Sequence, residues 1–324
     1  MTMESESRQK TVEGLAFVFP GQGSQKVGML ADLAAEDAVV EETFAEASEV
    51  VGYDMWRLVQ EGEQGQLNLT ETTQPVLLTA SVALWRSWQR RSEARPAVMA
   101  GHSLGEFSAL VCAGAISFAD GVALVRQRGA FMQTAVPAGE GAMAAIIGLD
   151  DEVIALACAD AAETTGQVVA PVNYNAPGQV VIAGSATAVE LAINNCKSAG
   201  AKRALPLPVS APFHTDLMRP AGEKLAVALE GLDVVQPNMP VIHNVHAAPE
   251  VEPERIKALL VEQIYSPVRW VSCVNAMADT GAQVFVECGP GAVLTGLAKR
   301  INRELSGLNT DNPEKMATAV TAVG

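Results

Sequence analysis

The sequence is poor in aromatic side chains, which make up 5% of its 324 residues, and poor in positive charge, with 22 Lys and Arg against 37 Asp and Glu. A net charge of −15 excludes nucleic acid as a bulk partner, because a phosphate-binding surface needs clustered Lys and Arg. The same balance does not exclude an acidic partner held by a local basic patch. No apolar run approaches the roughly 18 residues needed to cross a bilayer, so no membrane-spanning segment is expected. The five cysteines (Cys112, Cys158, Cys196, Cys273, Cys288) are scattered, without a C-x-x-C pair or metal-ligand spacing. They exclude a disulfide framework and a metal site, and read as reduced thiols of a cytoplasmic protein. Residues 1–13, MTMESESRQKTVE, lack the apolar centre of a signal peptide and read as a flexible leader. Residues 306–324 are weakly patterned and read as a second flexible terminus.

What is abundant is small and apolar. Hydrophobic residues are 49% of the chain, dominated by Ala, Val and Leu, and there are 27 glycines. That composition suits parallel strands covered by helices, and the length suits one large domain or two unequal ones. Short apolar runs at 15–19, 97–100, 241–242 and 283–287 alternate with helical spacing over 27–60 (broken near Gly52), 74–91, 104–113, 118–134, 213–229, 253–265, 268–280 and 293–300. These predict an α/β domain with a parallel sheet, formed by residues 14–137 and 208–305. Between them the rhythm changes to strand 142–147, helix 150–164, strands 168–174 and 179–183, helix 187–199 and strand 203–207. That βαββαβ order predicts a small inserted ferredoxin-like domain over 138–207.

The strongest local signal is Gly101-His102-Ser103-Leu104-Gly105, a match to G-x-S-x-G with an apolar strand before it and an amphipathic helix after it. A nucleophile on so tight a strand-to-helix turn needs small residues two positions away on either side. The turn also aims the N–H of Leu104 at an oxyanion forming beside Ser103. The loop Gly21–Gln25 follows the first strand, and the N–H of Gln22 can complete that hole. No dinucleotide or Walker fingerprint is present.

A serine hydroxyl needs a base near neutral pH, and four histidines are available. His102 abuts the serine, but on an elbow its ring points away from Oγ, toward the pocket wall. His243 and His246 lie in HNVHAAPE, which reads as a surface loop. His214, in SAPFH just before a helix, is left as candidate base by elimination, with a structural histidine as its plainer reading. Arg128, on the helix after the elbow's own, offers two parallel donors to a carboxylate, whereas Arg126 reads as a solvated face.

Several longer blocks then coincide. FVFPGQGSQ (17–25), GHSLGE (101–106), RGAFMQ (128–133), NYNAPGQVVIAG (173–184), PFH (212–214), QIYSPVRW (263–270) and ECGPGAVLTGLAKR (287–300) resemble, in order, the malonyl-CoA:acyl-carrier-protein transacylases. Acyltransferase domains of fatty-acid and polyketide synthases share many of these blocks. The resemblance implies Ser103 as the acyl-bearing nucleophile, His214 as general base and then acid, and Gln22 and Leu104 as the oxyanion hole. It implies Arg128 as the clamp on the substrate carboxylate and the main-chain carbonyl of Gln263 as the group that orients His214. His102, Phe213, Asn173 and Asn175 would line the substrate pocket.

The expected reaction is ping-pong transfer of malonyl from malonyl-CoA to the thiol of a holo acyl carrier protein in fatty-acid biosynthesis, with no cofactor or metal, by a monomer. Carrier docking would use Lys197, Lys202 and Arg203, or Arg90 and Arg91. The competing readings are an acyltransferase for a methylmalonyl extender, a serine thioesterase or hydrolase, and a non-catalytic carrier-docking protein. Arg128 argues for a dicarboxylic acyl chain, because an unpaired buried guanidinium is penalised. Phe213 argues for an unbranched one.

Overall fold

The computed structural model describes residues 10–209 and 211–324. Most of the expected leader therefore lies outside the described residues. Its last part does not stay loose: strand β1 (Lys10–Phe19) already pairs at Lys10 with Ala94. Helices α1 (Ala31–Glu36), α2 (Val39–Val51), α3 (Met55–Glu61) and α4 (Gln64–Leu67) follow, then the long α5 (Thr70–Arg91). Gly52 ends α2 in the left-handed region, at φ 78°, where the helical spacing breaks in the sequence.

Strand β2 (Ala94–Gly101) leads through a tight turn into α6 (Leu104–Cys112) and α7 (Phe118–Thr134). Next come β3 (Gly141–Ile147), α8 (Asp151–Thr165), β4 (Val169–Ala176), β5 (Gln179–Ser185), α9 (Ala186–Ser198) and β6 (Arg203–Pro206). The chain continues with α10 (Arg219–Glu230), β7 (Val241–Ile242), α11 (Pro253–Tyr265), α12 (Trp270–Asp279), β8 (Val284–Glu287), α13 (Val293–Ile301), β9 (Ser306–Asn309) and α14 (Pro313–Val323).

The first sheet is parallel, in the order β7-β2-β1-β8-β9. Side chains alternate across a strand, so the apolar run of β1 feeds two cores. Leu15, Phe17 and Phe19 face one core and Ala16 and Val18 the other. The first core is closed by α5, α6 and α7, with Trp85 and Trp88 edge-on to Phe17; α12 and α13 close the second. Phe19 and Gly101 pair at the carboxyl ends of β1 and β2, the end of a parallel sheet where loops gather a site.

The second sheet is antiparallel, in the order β4-β5-β3-β6. Helices α8 and α9 cover one of its faces. The other face, with Met143, Val172 and Val181, packs toward Leu207, Val209 and Phe213. Val268 ties the two sheets together: its N–H donates to Val172 O at 2.8 Å and its carbonyl accepts from Tyr174 N–H at 3.0 Å.

Two expectations need correction. Residues 306–324 are folded, since β9 pairs with β8 from Ser306 opposite Val284 to Asn309 opposite Glu287. Helix α14 then buries Met316 and Ala319 and is capped by the Asn312 side chain, which accepts from Lys315 N–H. A four-residue edge strand and a helix with two buried side chains leave little periodicity to read. The helix expected from Phe213 begins instead at Arg219, because His214 takes φ 63° and a left-handed residue cannot sit inside a right-handed helix.

Candidate active site

Ser103 stands between β2 and α6 with φ 52° and ψ −107°, a conformation that costs a non-glycine residue free energy. Its neighbours hold it there. A Cβ at Gly101 would run into the carbonyl of Gly105, and a Cβ at Gly105 would run into the carbonyl oxygen of Phe19. The glycines of the pentapeptide are thus demanded by close approach of strand, turn and helix. Ser103 N–H donates to Asn244 Oδ1 at 2.8 Å, and Asn244 Nδ2 donates to Gly101 O at 2.7 Å.

His214 comes from the loop before α10, is 4% exposed, and places Nε2 2.8 Å from Ser103 Oγ. Its Nδ1 lies 2.8 Å from the main-chain oxygen of Gln263. A carbonyl can only accept, so Nδ1 carries the proton and Nε2 is left to accept from the serine hydroxyl. Burial, with the nearby charge of Arg128, pushes the imidazole down to about 3, so at neutral pH the ring is neutral and its Nε2 lone pair is free.

Arg128 is buried to 1% exposure. Nη1 donates to Gln74 Oε1 at 2.9 Å, and Nη2 donates to Gln263 Oε1 at 2.8 Å and to Ser103 Oγ at 3.2 Å. Nε has no partner among the described residues, and the guanidinium lies over the Phe107 ring at 5.0 Å. Its acceptors are amide and hydroxyl oxygens, and none of the ion pairs among the described residues includes it. Burial pushes its pKa down to about 9, against the opposing influence of Glu106.

A cavity of about 130 Å³ joins these groups, lined among others by Gln22, Ser103, Leu104, Arg128, Asn173, Phe213 and His214. Its walls are completed by Met132, Met143, Leu207 and Val209. A second space of about 250 Å³ shares Gln22, His102, Asn173 and Leu207 with it and extends past Asn175 toward α13. His102 turns away from Ser103, with Nε2 2.8 Å from Asn175 Oδ1 and its ring 5.5 Å from Trp270. Asn173 Oδ1 is buried without a partner among the described residues.

Three polar residues of this region escaped sequence reasoning. Gln74 sits on α5 and was visible only as part of a helix. Glu106 is fully buried; it accepts from Asn244 N–H at 3.0 Å, from Gln263 Nε2 at 2.7 Å and from His243 Nδ1 at 2.7 Å. The lone acid in the apolar helix LGEFSALVC was its signal. Asn244 had none. His243 corrects an expectation, since it is fully buried instead of lying in a surface loop, and only His246 of that pair is exposed. Arg90 and Arg91, the other two docking candidates, are exposed and both pair with Asp37, at 3.0 and 3.5 Å. Lys197, Lys202 and Arg203 are exposed. No cluster of three or more His, Cys, Asp or Glu suited to a metal occurs among the described residues, and the five cysteines are free and buried. No described helix is long and apolar enough to cross a membrane.

With its serine on a strand-to-helix elbow and a main-chain carbonyl behind the imidazole, the molecule falls in the class of serine enzymes that handle acyl groups. Comparison with known proteins narrows that class. The acyl transferase domain profile matches residues 16–320. The chain is 60% identical over 305 residues to the malonyl CoA-acyl carrier protein transacylase of Escherichia coli K12, covering 94% of this chain and 98% of that protein. An acyl carrier protein S-malonyltransferase from Vibrio cholerae has the same fold, with a TM-score of 0.92 at 58% identity over 94% of this chain and 99% of the other. So does a malonyl-transacylase solved in complex with a type II PKS acyl-carrier protein, with a TM-score of 0.93 at 55% identity over 95% and 99%. The chain belongs to the acyl transferase family, among its malonyl CoA-acyl carrier protein transacylases.

Proposed function

We propose that this enzyme moves a malonyl group from malonyl-CoA to the phosphopantetheine thiol of a holo acyl carrier protein, through a malonyl ester on Ser103, for fatty-acid synthesis in the cytoplasm. The observation that carries the reading is Arg128: a buried guanidinium without an acidic partner among the described residues, 3.2 Å from the nucleophile's oxygen. A dicarboxylic acyl chain brings the missing anion, and the planar fork binds its free carboxylate while the thioester carbon lies at Ser103.

His214 Nε2 takes the proton of Ser103 as Oγ attacks the thioester carbonyl. The N–H groups of Gln22 and Leu104 receive the oxyanion, both lining the cavity and neither donating to a described residue. Collapse breaks the C–S bond, and the CoA sulfur leaves with the proton from His214. The carrier thiol then gives its proton to His214, attacks the ester carbonyl, and Ser103 recovers its hydrogen as the new thioester forms. Gln263 O holds the ring through both halves, so no triad acid is needed. Phe213, Met132 and Leu207 leave a narrow cavity that favours the unbranched acyl group over methylmalonyl. His102, Asn173 and Asn175 line the adjoining space, along which the pantetheine arm would enter. Residues 138–207 act as a small ferredoxin-like domain whose exposed Lys197, Lys202 and Arg203 offer the acidic carrier a positive surface.

Intact-protein mass spectrometry after brief exposure to malonyl-CoA tests the reading, with Ser103→Ala and acetyl-CoA as controls. A malonyl increment on the wild type alone, passed on to a holo carrier, is expected. Steady CoA release without an adduct or transfer would make the protein a hydrolase instead.

A further inference from the structure

Behind the reacting groups lies a carboxylate that the proposed reaction does not use. Glu106 is fully buried on α6, yet its two oxygens accept from three donors on two other segments: Asn244 N–H, Gln263 Nε2 and His243 Nδ1. We infer that Glu106 is a positioning residue for malonyl transfer: it dictates the amide orientation of Gln263 and the place of Asn244, and through them sets the guanidinium of Arg128 and the backbone of Ser103. The inference rests on the malonyl-transfer reading of the site.

The first half of the argument is about an amide. A glutamine side chain presents an acceptor at one end and donors at the other, and nothing in its shape says which end faces where. An ionised carboxylate only accepts, so the end of Gln263 that faces Glu106 is its NH2 group. That group also donates to Ser103 O at 3.0 Å. Oε1 is therefore left facing Arg128, whose Nη2 donates to it at 2.8 Å. Flipped, the same amide would set NH2 against guanidinium N–H and oxygen against two other oxygens.

The consequence is electrostatic. Glu106 lies one amide away from Arg128, close enough to favour its charge but not joined to it. A direct ion pair would satisfy the arginine within the protein and weaken its hold on a substrate carboxylate. With amide oxygens as partners, the guanidinium stays charged and available. The titratable groups facing it are Glu106 from α6 and His214 from the loop before α10, with His243 behind the carboxylate.

The second half concerns the elbow. Asn244 N–H donates to Glu106 Oε2, and the same residue's side chain accepts from Ser103 N–H and donates to Gly101 O. Holding Asn244 therefore clamps the strained turn from both sides of the nucleophile, and commits the serine's own N–H, leaving that of Leu104 for the oxyanion. Gln at position 106 would keep the shape but turn one acceptor oxygen into a donor facing donors.

The test compares Glu106→Gln and Glu106→Asp in the full-length chain, using malonyl-CoA and a holo carrier, with rates normalised to the Ser103 that malonylates by mass spectrometry. For Glu106→Gln the expected result is a fall in kcat/KM of about 10²-fold per active site, with the alkaline limb of its pH profile moved toward neutrality. Glu106→Asp keeps the charge, so its alkaline limb stays in place while kcat/KM falls about tenfold or more. Wild-type kcat/KM and pH profile per titrated site in Glu106→Gln, whatever its yield or stability, would overturn the inference. If that variant does not fold, unchanged kcat/KM per site in Glu106→Asp overturns it alone. A wild type that transfers no malonyl would sink the function instead, a distinguishable failure.

Discussion

Ser103 and His214 meet at 2.8 Å, and both hold their backbones in the left-handed region, at φ 52° and 63°. Among the described non-glycine residues two others share that region, Leu30 and Ala247, neither of which lines the cavity. Strain at both partners of one hydrogen bond means that packing fixes their separation before substrate arrives. Removing the imidazole by His214→Ala should slow acylation of Ser103 by about 10²- to 10⁴-fold while malonyl-CoA still binds. Single-turnover mass spectrometry beside a binding titration checks this; loss of binding equal to loss of rate would refute it.

Replacing the guanidinium tests selectivity. Arg128→Ala should lower malonylation by roughly 10²-fold or more and raise acetylation relative to it, since the carboxylate loses a charged, bidentate partner. Arg128→Lys should recover little, because an ammonium cannot serve Gln74, Gln263 and the substrate from one plane. Competing malonyl-CoA and acetyl-CoA in one tube reads the ratio directly. An unchanged ratio would remove Arg128 from substrate recognition.

The pH dependence follows from two buried groups. As the proposed base, His214 works when neutral, above its pKa, and burial with the Arg128 charge holds that pKa near 3 against an ordinary 6.5. As the proposed carboxylate clamp, Arg128 works when protonated, below a pKa that burial brings down to about 9. Activity as kcat/KM should therefore be flat from about pH 5 to about pH 8, then fall on the alkaline side. An acid limb near the ordinary imidazole value would contradict the assignment. Stability carries the same sign: a ring that stays neutral when folded but protonates below 6.5 when unfolded loses folding free energy as pH drops from 6.5 toward 3. That ring alone lowers the folding constant by about tenfold per pH unit in this window.

Gly105→Ala drives a methyl group toward the carbonyl oxygen of Phe19, between the elbow and the first strand. We expect a destabilisation of about 1–3 kcal/mol in urea unfolding and a larger loss of acylation rate, because the displaced segment carries Ser103 and Leu104. Wild-type stability and rate together would show that the turn tolerates a side chain.

At the far end of the chain, Met316→Ala should cost about 2–5 kcal/mol of stability while leaving kcat/KM per folded molecule unchanged. Met316 is fully buried in the core that α14 helps to close, remote in sequence and function from the elbow. Equilibrium unfolding with an activity titration separates the two effects.

Much of this protein was legible in its residues because the demands were local. Short apolar runs and helices of period 3.6 are written within ten to twenty positions, so the parallel core and the antiparallel sheet with its two helices could be anticipated. The elbow was legible because close approach of strand and helix excludes any side chain at Gly101 and Gly105. The C-terminal strand and helix were not legible, since their order comes from a sheet edge that β8 supplies. Nor was the burial of His243, which follows from where Glu106 lies after folding. Residue types at short spacing named Ser103, elimination among four histidines offered His214, guanidinium chemistry on the following helix offered Arg128, and the family blocks added Gln263. That these converge within 3.2 Å of one oxygen or on one another, and that a hidden carboxylate orders the amides between them, was decided only by tertiary structure. Positions 103, 128, 214 and 263 lie on separate segments, and their hydrogen bonds exist only once the sheet has brought those segments to one end.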